Sequence, residues 1–157
     1  MSATIRIEKI HEKAIVPIKE TSGSAGFDLT AVDYELVDNG TNGVVLFKTG
    51  LKLEIPAGFF GAIFPRSGLS KKGQWMLANG VGVIDADYRG EIMVMMRFVD
   101  SSRFFARQFN FTPYVNDILN TRIAQLILLN YKDMIYESVA KVSSSIRGTG
   151  GFGSTGR

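Results

Sequence analysis

Residues 79–91 read Asn-Gly-Val-Gly-Val-Ile-Asp-Ala-Asp-Tyr-Arg-Gly-Glu, and the rest of the chain is organised around this stretch. An apolar, strand-like run ends at Ile84, and Asp85 and Asp87 follow it directly. Gly90 and the aspartates are residues that favour turns. The pattern predicts a β-hairpin that holds a carboxylate at the rim of a packed core. An isolated Asp-x-Asp in such a hairpin is more often a pair of solvated turn residues, so its meaning depends on the rest of the chain.

The composition indicates one β-rich globular domain. The chain has 157 residues, of which 45% are apolar and 21% charged, and it contains 17 glycines but only 4 prolines. Many glycines and apolar runs rich in Val, Ile and Phe favour strands joined by tight turns. The length is sufficient for a hydrophobic core.

Several classes of function are excluded by what the chain lacks. It has no cysteine and a single histidine, His11. Disulfides, thiolate chemistry and a histidine-rich zinc centre are therefore excluded, and a metal would be a hard cation such as Mg²⁺ held by oxygen. The net charge of +3 suits polyanions such as nucleotides but does not argue for binding nucleic acid. No apolar run reaches membrane-spanning length, so we expect no membrane contact and a cytoplasmic, intracellular soluble protein.

Alternating and apolar runs along the chain predict strands. One of them carries Gln125, an amide that must be hydrogen-bonded if it is buried. The run at 92–96 is almost continuously apolar, as in a strand covered on both sides or buried between subunits. The strand-like runs are 3–10, 27–30, 44–47, 49–55, 59–64, 92–96, 122–129 and 134–142.

The loop at 65–73 places Arg66, Ser67, Gly68 and two lysines directly after a strand. Backbone amides, hydroxyls and a guanidinium can together bind phosphate, because an anion needs several convergent donors. A loop of this composition is also often plain solvated surface. Phosphate binding is thus one of two interpretations that the loop allows by itself.

The tail differs in character from the rest of the chain. We divide the sequence into a β domain at 1–142 and a glycine-rich arm at 143–157. The arm carries Arg147, an aromatic residue and several hydroxyls, so it could be a lid that becomes ordered on a ligand. A disordered carboxy terminus is the simpler alternative.

Five short segments stand out when the chain is taken in order. They are Ala-Gly-Phe-Asp-Leu at 25–29, Pro-Arg-Ser-Gly-Leu at 65–69, Gly-Val-Ile-Asp-Ala-Asp-Tyr-Arg-Gly-Glu at 82–91, Arg-Ile-Ala-Gln-Leu at 122–126, and Arg-Gly-Thr-Gly-Gly-Phe-Gly-Ser-Thr-Gly at 147–156. In this order they resemble the motifs of the trimeric deoxyuridine triphosphatases (dUTPases). The resemblance extends from residue 25 to the end of the chain, and its third and fifth motifs are highly specific.

The resemblance implies an all-β, jelly-roll-like dUTPase barrel with at most one short helix and a flexible carboxy-terminal arm. It implies a homotrimer with shared active sites that hydrolyses dUTP to dUMP and pyrophosphate with Mg²⁺. In that reaction water attacks the α-phosphate.

The resemblance also implies a role for each motif residue. Asp85 would orient and activate the attacking water, while Tyr88 would pack on the deoxyribose and exclude a ribose hydroxyl. Asn79 and Val83 would read the uracil, and Asp28 would contact Mg²⁺ through water. Asp87 matches the motif, but a turn is sufficient to explain it. The residues implied for the phosphates are Arg66, Ser67, Gly68 and Gln125, and those implied for the arm are Arg147, Phe152, Gly153, Ser154 and Thr155.

Two departures from the family pattern stand out. The segment at about 98–121 is longer than is usual, and Asn120-Thr121 replaces the Gly-Asp turn that often precedes the fourth motif. The insertion, rich in aromatics and arginine, could be a hairpin with packed rings or a site for a protein partner, and it leaves a phage or viral origin open. Two alternative functions remain, namely a relative of the dCTP deaminases and a regulatory protein that acts through the insertion.

Overall fold

The computed structural model describes residues 4–37, 43–99 and 112–150. Within these ranges it contains ten strands and two short helices. The all-β class is therefore confirmed, although two helices occur where at most one was expected. The elements are β1 Arg6–Lys9, β2 Phe27–Thr30, β3 Asp33–Leu36, β4 Val44–Lys48, β5 Leu51–Glu54, β6 Phe59–Pro65, α1 Ser67–Lys71, β7 Trp75–Leu77, β8 Gly82–Ile84, β9 Met93–Phe98, α2 Thr112–Ile118 and β10 Arg122–Asn130.

The strands form two four-stranded antiparallel sheets and one two-stranded pair. One sheet has the order β2-β10-β6-β8, the other has the order β3-β4-β9-β7, and β1 pairs with β5. Buried side chains of both four-stranded sheets belong to a single hydrophobic cluster, as expected for two sheets packed face to face. The cluster includes Leu29, Ile63, Ile123 and Leu126 from the first sheet and Val45, Phe47, Trp75, Val94 and Met96 from the second.

Strand β9 shows how the sequence pattern builds this sandwich. Val94 and Met96 point into the core, whereas Met95 and Arg97 lie on the opposite, exposed face. The apolar run at 92–96 is therefore covered on only one face within a single chain, and the outer face keeps a partly exposed methionine surface.

Residues 79–91 do not form the predicted hairpin. Strand β8 pairs with β6 in the first sheet, whereas β9 pairs with β4 and β7 in the second. The stretch is thus a connection that crosses from one sheet to the other and back. Sequence patterning alone could not distinguish these cases, because a hairpin and a crossing connection share the same strand–turn–strand composition.

A chain of aromatic rings ties part of the predicted insertion to the core. Ring centroids are 5.1 Å apart between Trp75 and Phe98 and 4.8 Å apart between Phe98 and Tyr114. Val115 and Ile118 of α2 are also buried. The second half of the insertion is therefore a packed helix and not part of a hairpin, while residues 100–111 lie outside the described ranges.

The strand predicted at 134–142 is wrong. Residues 131–150 contain no helix or strand. Several apolar side chains there are strongly exposed, and Ile135 and Tyr136 reach 98% and 97%. The apolar composition was typical of a strand, but a strand also needs a neighbour for its backbone hydrogen bonds, and the described residues provide none here. Neither described helix is long and apolar enough to cross a bilayer.

Candidate functional site

A polar cleft of about 290 Å³ lies where β2, β10 and the end of β6 meet. It brings together residues from three of the sequence motifs: Asp28, Arg66, Ser67, Gly68 and Gln125. We call it the arginine cleft. Its remaining lining residues are Glu20, Ser24, Ala25 and Gly26.

Asp28 is the centre of an ion-pair network in the arginine cleft. Its Oδ1 lies 2.8 Å from Arg66 Nε, and its Oδ2 lies 3.0 Å from Arg122 Nη1. The Asp28 side chain is only 14% exposed and that of Arg66 27%. A half-buried carboxylate with two guanidinium partners is held in a fixed position, and it in turn fixes the orientation of Arg66.

Arg122 was missed as a functional candidate by sequence reasoning, as was its partner Glu20. Arg122 Nη1 donates to both Glu20 Oε2 and Asp28 Oδ2, and Arg66 Nη1 donates to the Arg122 carbonyl oxygen at 3.0 Å. The hydrogen bond to Glu20, then the charges of Glu20 and Asp28, raise the pKa of the Arg122 guanidinium above its ordinary value. A signal was present in the sequence, since an arginine opens an otherwise apolar strand three residues before Gln125.

Gln125 is half-buried, and its side-chain amide is hydrogen-bonded, as expected for a polar group on an apolar strand. Its Nε2 donates to the Pro65 carbonyl oxygen at 2.9 Å. A Cβ on Gly26 would lie 2.5 Å from Gln125 Oε1, so only glycine leaves room for the amide in this position. Gly26 thus contributes to the arginine cleft by close approach.

Ser67 and Gly68 form the first turn of α1, where a plain loop was expected. Both residues are exposed, and Arg66 precedes them as the residue that caps the helix. Amides at the start of a helix lack acceptors within the helix, so they remain available for other acceptors. The arginine cleft therefore presents a guanidinium beside backbone donors, a combination suited to phosphate.

A second depression of about 700 Å³ lies beside the end of β8 and is lined by Phe60, Val83, Asp85, Ala86, Asp87 and Tyr131. We call it the Asp85 groove. Asp85 and Asp87 are exposed in it, and Val83 is 60% exposed. The groove therefore combines apolar walls with carboxylates that face water.

A turn at 85–88 positions these side chains. The Tyr88 amide donates to the Asp85 carbonyl oxygen at 3.2 Å, and Arg89 Nη1 donates to the Ala86 carbonyl oxygen at 2.7 Å. The tight turn is thus formed around the two aspartates and precedes Gly90. Glu91 fixes the end of the segment, because its Oε1 accepts from the Gly50 amide at 2.8 Å.

Tyr88 folds back over the turn and does not line the Asp85 groove. Its hydroxyl donates to the Glu91 carbonyl oxygen at 3.2 Å. A Cβ on Gly90 would lie 2.3 Å from that hydroxyl, so Gly90 allows the ring to lie flat against the backbone. Asn79 lies in the preceding turn, where its carbonyl oxygen accepts from the Val81 amide at 2.8 Å, and it lines neither depression.

The two depressions lie at opposite edges of one sheet. Asp28 is on the edge strand β2, and Asp85 follows the other edge strand, β8. Three strand spacings separate these edges, which is about 14 Å across the sheet. A carboxylate that activates a water must be within hydrogen-bond reach of it. One chain therefore does not bring the Asp85 carboxylate and the arginine cleft onto the same small ligand.

The residues predicted in the arm are only partly described. Arg147 is exposed and folds locally, with its Nε donating to the Gly150 carbonyl oxygen at 2.7 Å. It contacts neither depression. Phe152, Gly153, Ser154 and Thr155 lie outside the described residues.

The donor set around Asp28 fits a hydrated Mg²⁺ better than a directly bound one. Both Asp28 oxygens already accept from guanidinium groups, and no group of three or more His, Asp or Glu side chains is gathered for a metal within 4–37, 43–99 and 112–150. Each carboxylate oxygen retains a second acceptor position that a metal-bound water could use. Mg²⁺ commonly keeps several waters and is bound by one or two carboxylates together with substrate phosphates.

A comparison with protein families matches residues 12–156 to the model described as dUTPase. The chain belongs to the dUTPase family. A deoxyuridine 5'-triphosphate nucleotidohydrolase of Dictyoglomus turgidum is 35% identical over 154 residues, covering 97% of both chains. The corresponding Picosynechococcus protein is 39% identical over 153 residues, covering 97% of this chain and 98% of its own.

Solved dUTPase structures share the fold. A Staphylococcus bacteriophage 80alpha dUTPase with dUPNHPP superposes with a TM-score of 0.78 at 22% identity and covers 99% of this chain and 100% of its own. A dUTPase of the S. aureus phage phi11, whose structure is described as showing a structural Mg(II) ion, has a TM-score of 0.70 at 20% identity and covers 90% of this chain and 99% of its own. These matches confirm the jelly-roll-like dUTPase architecture.

Proposed function

We propose that this protein is a dUTP diphosphatase, which hydrolyses dUTP to dUMP and pyrophosphate by attack of water on the α-phosphate. Family membership over nearly the whole chain is the observation that carries this proposal. The arginine cleft supports it, because its guanidinium and backbone donors suit a triphosphate.

In this reaction the arginine cleft binds the phosphates. Arg66, Ser67, Gly68 and Gln125 donate hydrogen bonds to phosphate oxygens, with Arg66 oriented by Asp28. Asp28 would hold Mg²⁺ through a water, and the ion would supply positive charge that offsets part of the triphosphate charge. The side chains and backbone of this chain thereby place the α-phosphate for attack.

The nucleoside half of the site comes from the 79–91 segment. Asp85 takes the role of the base that orients and activates the attacking water. Asn79 and Val83 contact uracil, and Tyr88 packs on the deoxyribose and leaves no room for a 2'-hydroxyl. The exposed, turn-anchored positions of Asp85 and Tyr88 are compatible with contacts to a bound nucleotide.

The active form is a homotrimer with shared active sites. Since the arginine cleft and Asp85 lie at opposite edges of one sheet, a neighbouring copy is needed to bring both onto one dUTP. The exposed apolar side chains at 134–146 support such contacts, because large exposed apolar surface indicates an interface. The arm at 143–157 then completes the site through Arg147, Phe152, Gly153, Ser154 and Thr155. A cytoplasmic location stays a prediction.

A pyrophosphate-release assay tests the function directly. Purified protein is incubated with dUTP, dCTP, dTTP or UTP, with Mg²⁺ or with excess EDTA. We expect fast release from dUTP alone and strong dependence on the metal. Ammonia release from dCTP would favour the deaminase alternative, and no turnover of dUTP in a folded preparation would refute the proposal.

A further inference from the structure

Glu20 is the outermost member of the ion-pair network in the arginine cleft. The network runs from Arg66 through Asp28 and Arg122 to Glu20. The side chains of Arg66 and Asp28 are 27% and 14% exposed, whereas those of Arg122 and Glu20 are 46% and 66% exposed. Glu20 therefore adds little to the packed core, and its contribution has to be electrostatic.

A carboxylate at this place needs an explanation. Glu20 lines the same cleft as Arg66 and Gly68, where an unpaired negative charge would repel a polyanion. The contact with Arg122 offsets that charge. The same Arg122 nitrogen also bonds Asp28, so one guanidinium connects the exposed carboxylate to the half-buried one.

We propose that Glu20 is a positioning residue for the phosphate side of the active site: it holds Arg122 on Asp28, and Asp28 in turn orients Arg66. Without Glu20, the half-exposed Arg122 side chain has one carboxylate partner instead of two and samples other positions. Asp28 Oδ2 then accepts from Arg122 for only part of the time, and the Asp28 carboxylate orients Arg66 less firmly. This inference rests on the proposed function, since it assigns a role at the same site.

The sign of the effect separates positioning from simple charge repulsion. If Glu20 acts through Arg122, Glu20→Gln raises the KM for dUTP, by about 3- to 5-fold, the upper range for a half-exposed ion pair, with little change in kcat. If Glu20 only repels the triphosphate, the same change lowers KM. A merely structural role would lower the melting temperature and leave KM unchanged.

A double-mutant cycle with Arg122 is the decisive experiment. In an Arg122→Gln background, Glu20→Gln should no longer raise KM and should lower it, because an unpaired carboxylate is then being removed. Arg122→Met takes its place in the cycle if Arg122→Gln does not fold, since methionine keeps a long, unbranched side chain without the charge. An equal rise in both backgrounds, or no rise in the wild-type background, would overturn the proposal.

Two further measurements complete the test. Glu54→Gln is the matched control, because Glu54 forms a comparable exposed ion pair with Arg6 at 2.8 Å on the separate β1–β5 pair, and we expect its KM to stay at the wild-type value. Calorimetric titration with a non-hydrolysable dUTP analogue should show the same 3- to 5-fold loss of affinity for Glu20→Gln. Because titration needs no turnover, a protein that binds the analogue but does not hydrolyse dUTP would refute the proposed function while still testing Glu20.

Discussion

The arginine cleft and the Asp85 groove are built in opposite ways. In the cleft, Asp28 is half-buried and bonded to two arginines, so the side chains are fixed before any ligand arrives. In the groove, Asp85 is exposed, and its backbone is anchored by the turn at 85–88. The difference supports the proposal that the cleft is preorganised for phosphate, whereas the groove is open and would be completed by a second surface.

The largest effect is expected for Asp85, the exposed carboxylate of the Asp85 groove. Asp85→Asn should lower kcat about 10²- to 10⁴-fold, the usual contribution of a general base, with little change in KM. The melting temperature should stay unchanged, because Asp85 is exposed. Steady-state kinetics and thermal unfolding measure both quantities.

Asp87→Asn is the matched control for that experiment. Asp87 is also exposed and lines the same groove, but no chemistry is assigned to it. Its kcat should remain near that of the wild type. An equal loss for both variants would mean that groove charge, and not a positioned base, determines the rate.

Mixing two inactive variants tests whether the two regions of one site belong to different chains. Asp85→Asn chains keep an intact arginine cleft, and Arg66→Gln chains keep an intact Asp85. Unfolding and refolding an equal mixture should restore about a quarter of wild-type activity. Each shared site needs an intact Asp85 from one chain and an intact arginine cleft from another, and each of these is present with a probability of about one half. The activity of the mixture is compared with that of each variant refolded alone. If trimers that contain both chains show no recovery, both regions of the site belong to one chain.

A smaller effect is expected at Gly90, which makes room for the Tyr88 ring. Gly90→Ala puts a Cβ 2.3 Å from the Tyr88 hydroxyl, so the ring has to swing away from the backbone. If Tyr88 excludes a 2'-hydroxyl, discrimination of dUTP against UTP should fall by up to about 100-fold, the usual limit for rejecting an added hydroxyl. The ratio of kcat/KM for the two nucleotides measures this, and an unchanged ratio would remove Tyr88 from sugar selection.

The smallest expected effect lies in the preorganised cleft. Gly26→Ala displaces Gln125 from its hydrogen bond to Pro65, because the new Cβ would lie 2.5 Å from Gln125 Oε1. Loss of one such hydrogen bond should raise KM for dUTP about 2- to 10-fold. Gly23→Ala is the control, since a Cβ there meets nothing within 4 Å, and a similar KM rise in both variants would contradict the steric explanation.

The accuracy of the sequence predictions differs between strands and connections. Strands such as β6 and β10 were predicted because their apolar runs and alternation follow directly from burial on a sheet. The 79–91 hairpin was wrong, because strand partners are chosen by the whole fold. The strand expected at 134–142 was wrong for a related reason, since apolar composition does not provide a neighbouring strand.

In the candidate site, too, local patterns were predicted and contacts between distant segments were missed. Motif order alone identified Asp28, Arg66 and Gln125, and the structure brings them into one cleft. Glu20 and Arg122 were missed as a pair. Arg122 stands out at the start of an apolar strand, but no local pattern links it to Glu20, 102 positions away. The residue types that bind phosphate can be recognised along the chain, whereas ion pairs between distant segments cannot.

The sequence by itself determined the family, the all-β class and the residue types of the site, because motifs and burial patterns are local properties of the chain. Only the tertiary structure decided that residues 79–91 cross between two sheets and that Asp28 is held between two arginines. It also decided that Asp85 and the arginine cleft lie at opposite edges of one sheet. The physical reason is that strand order and ion pairing depend on contacts between distant segments, which form only when the whole chain packs.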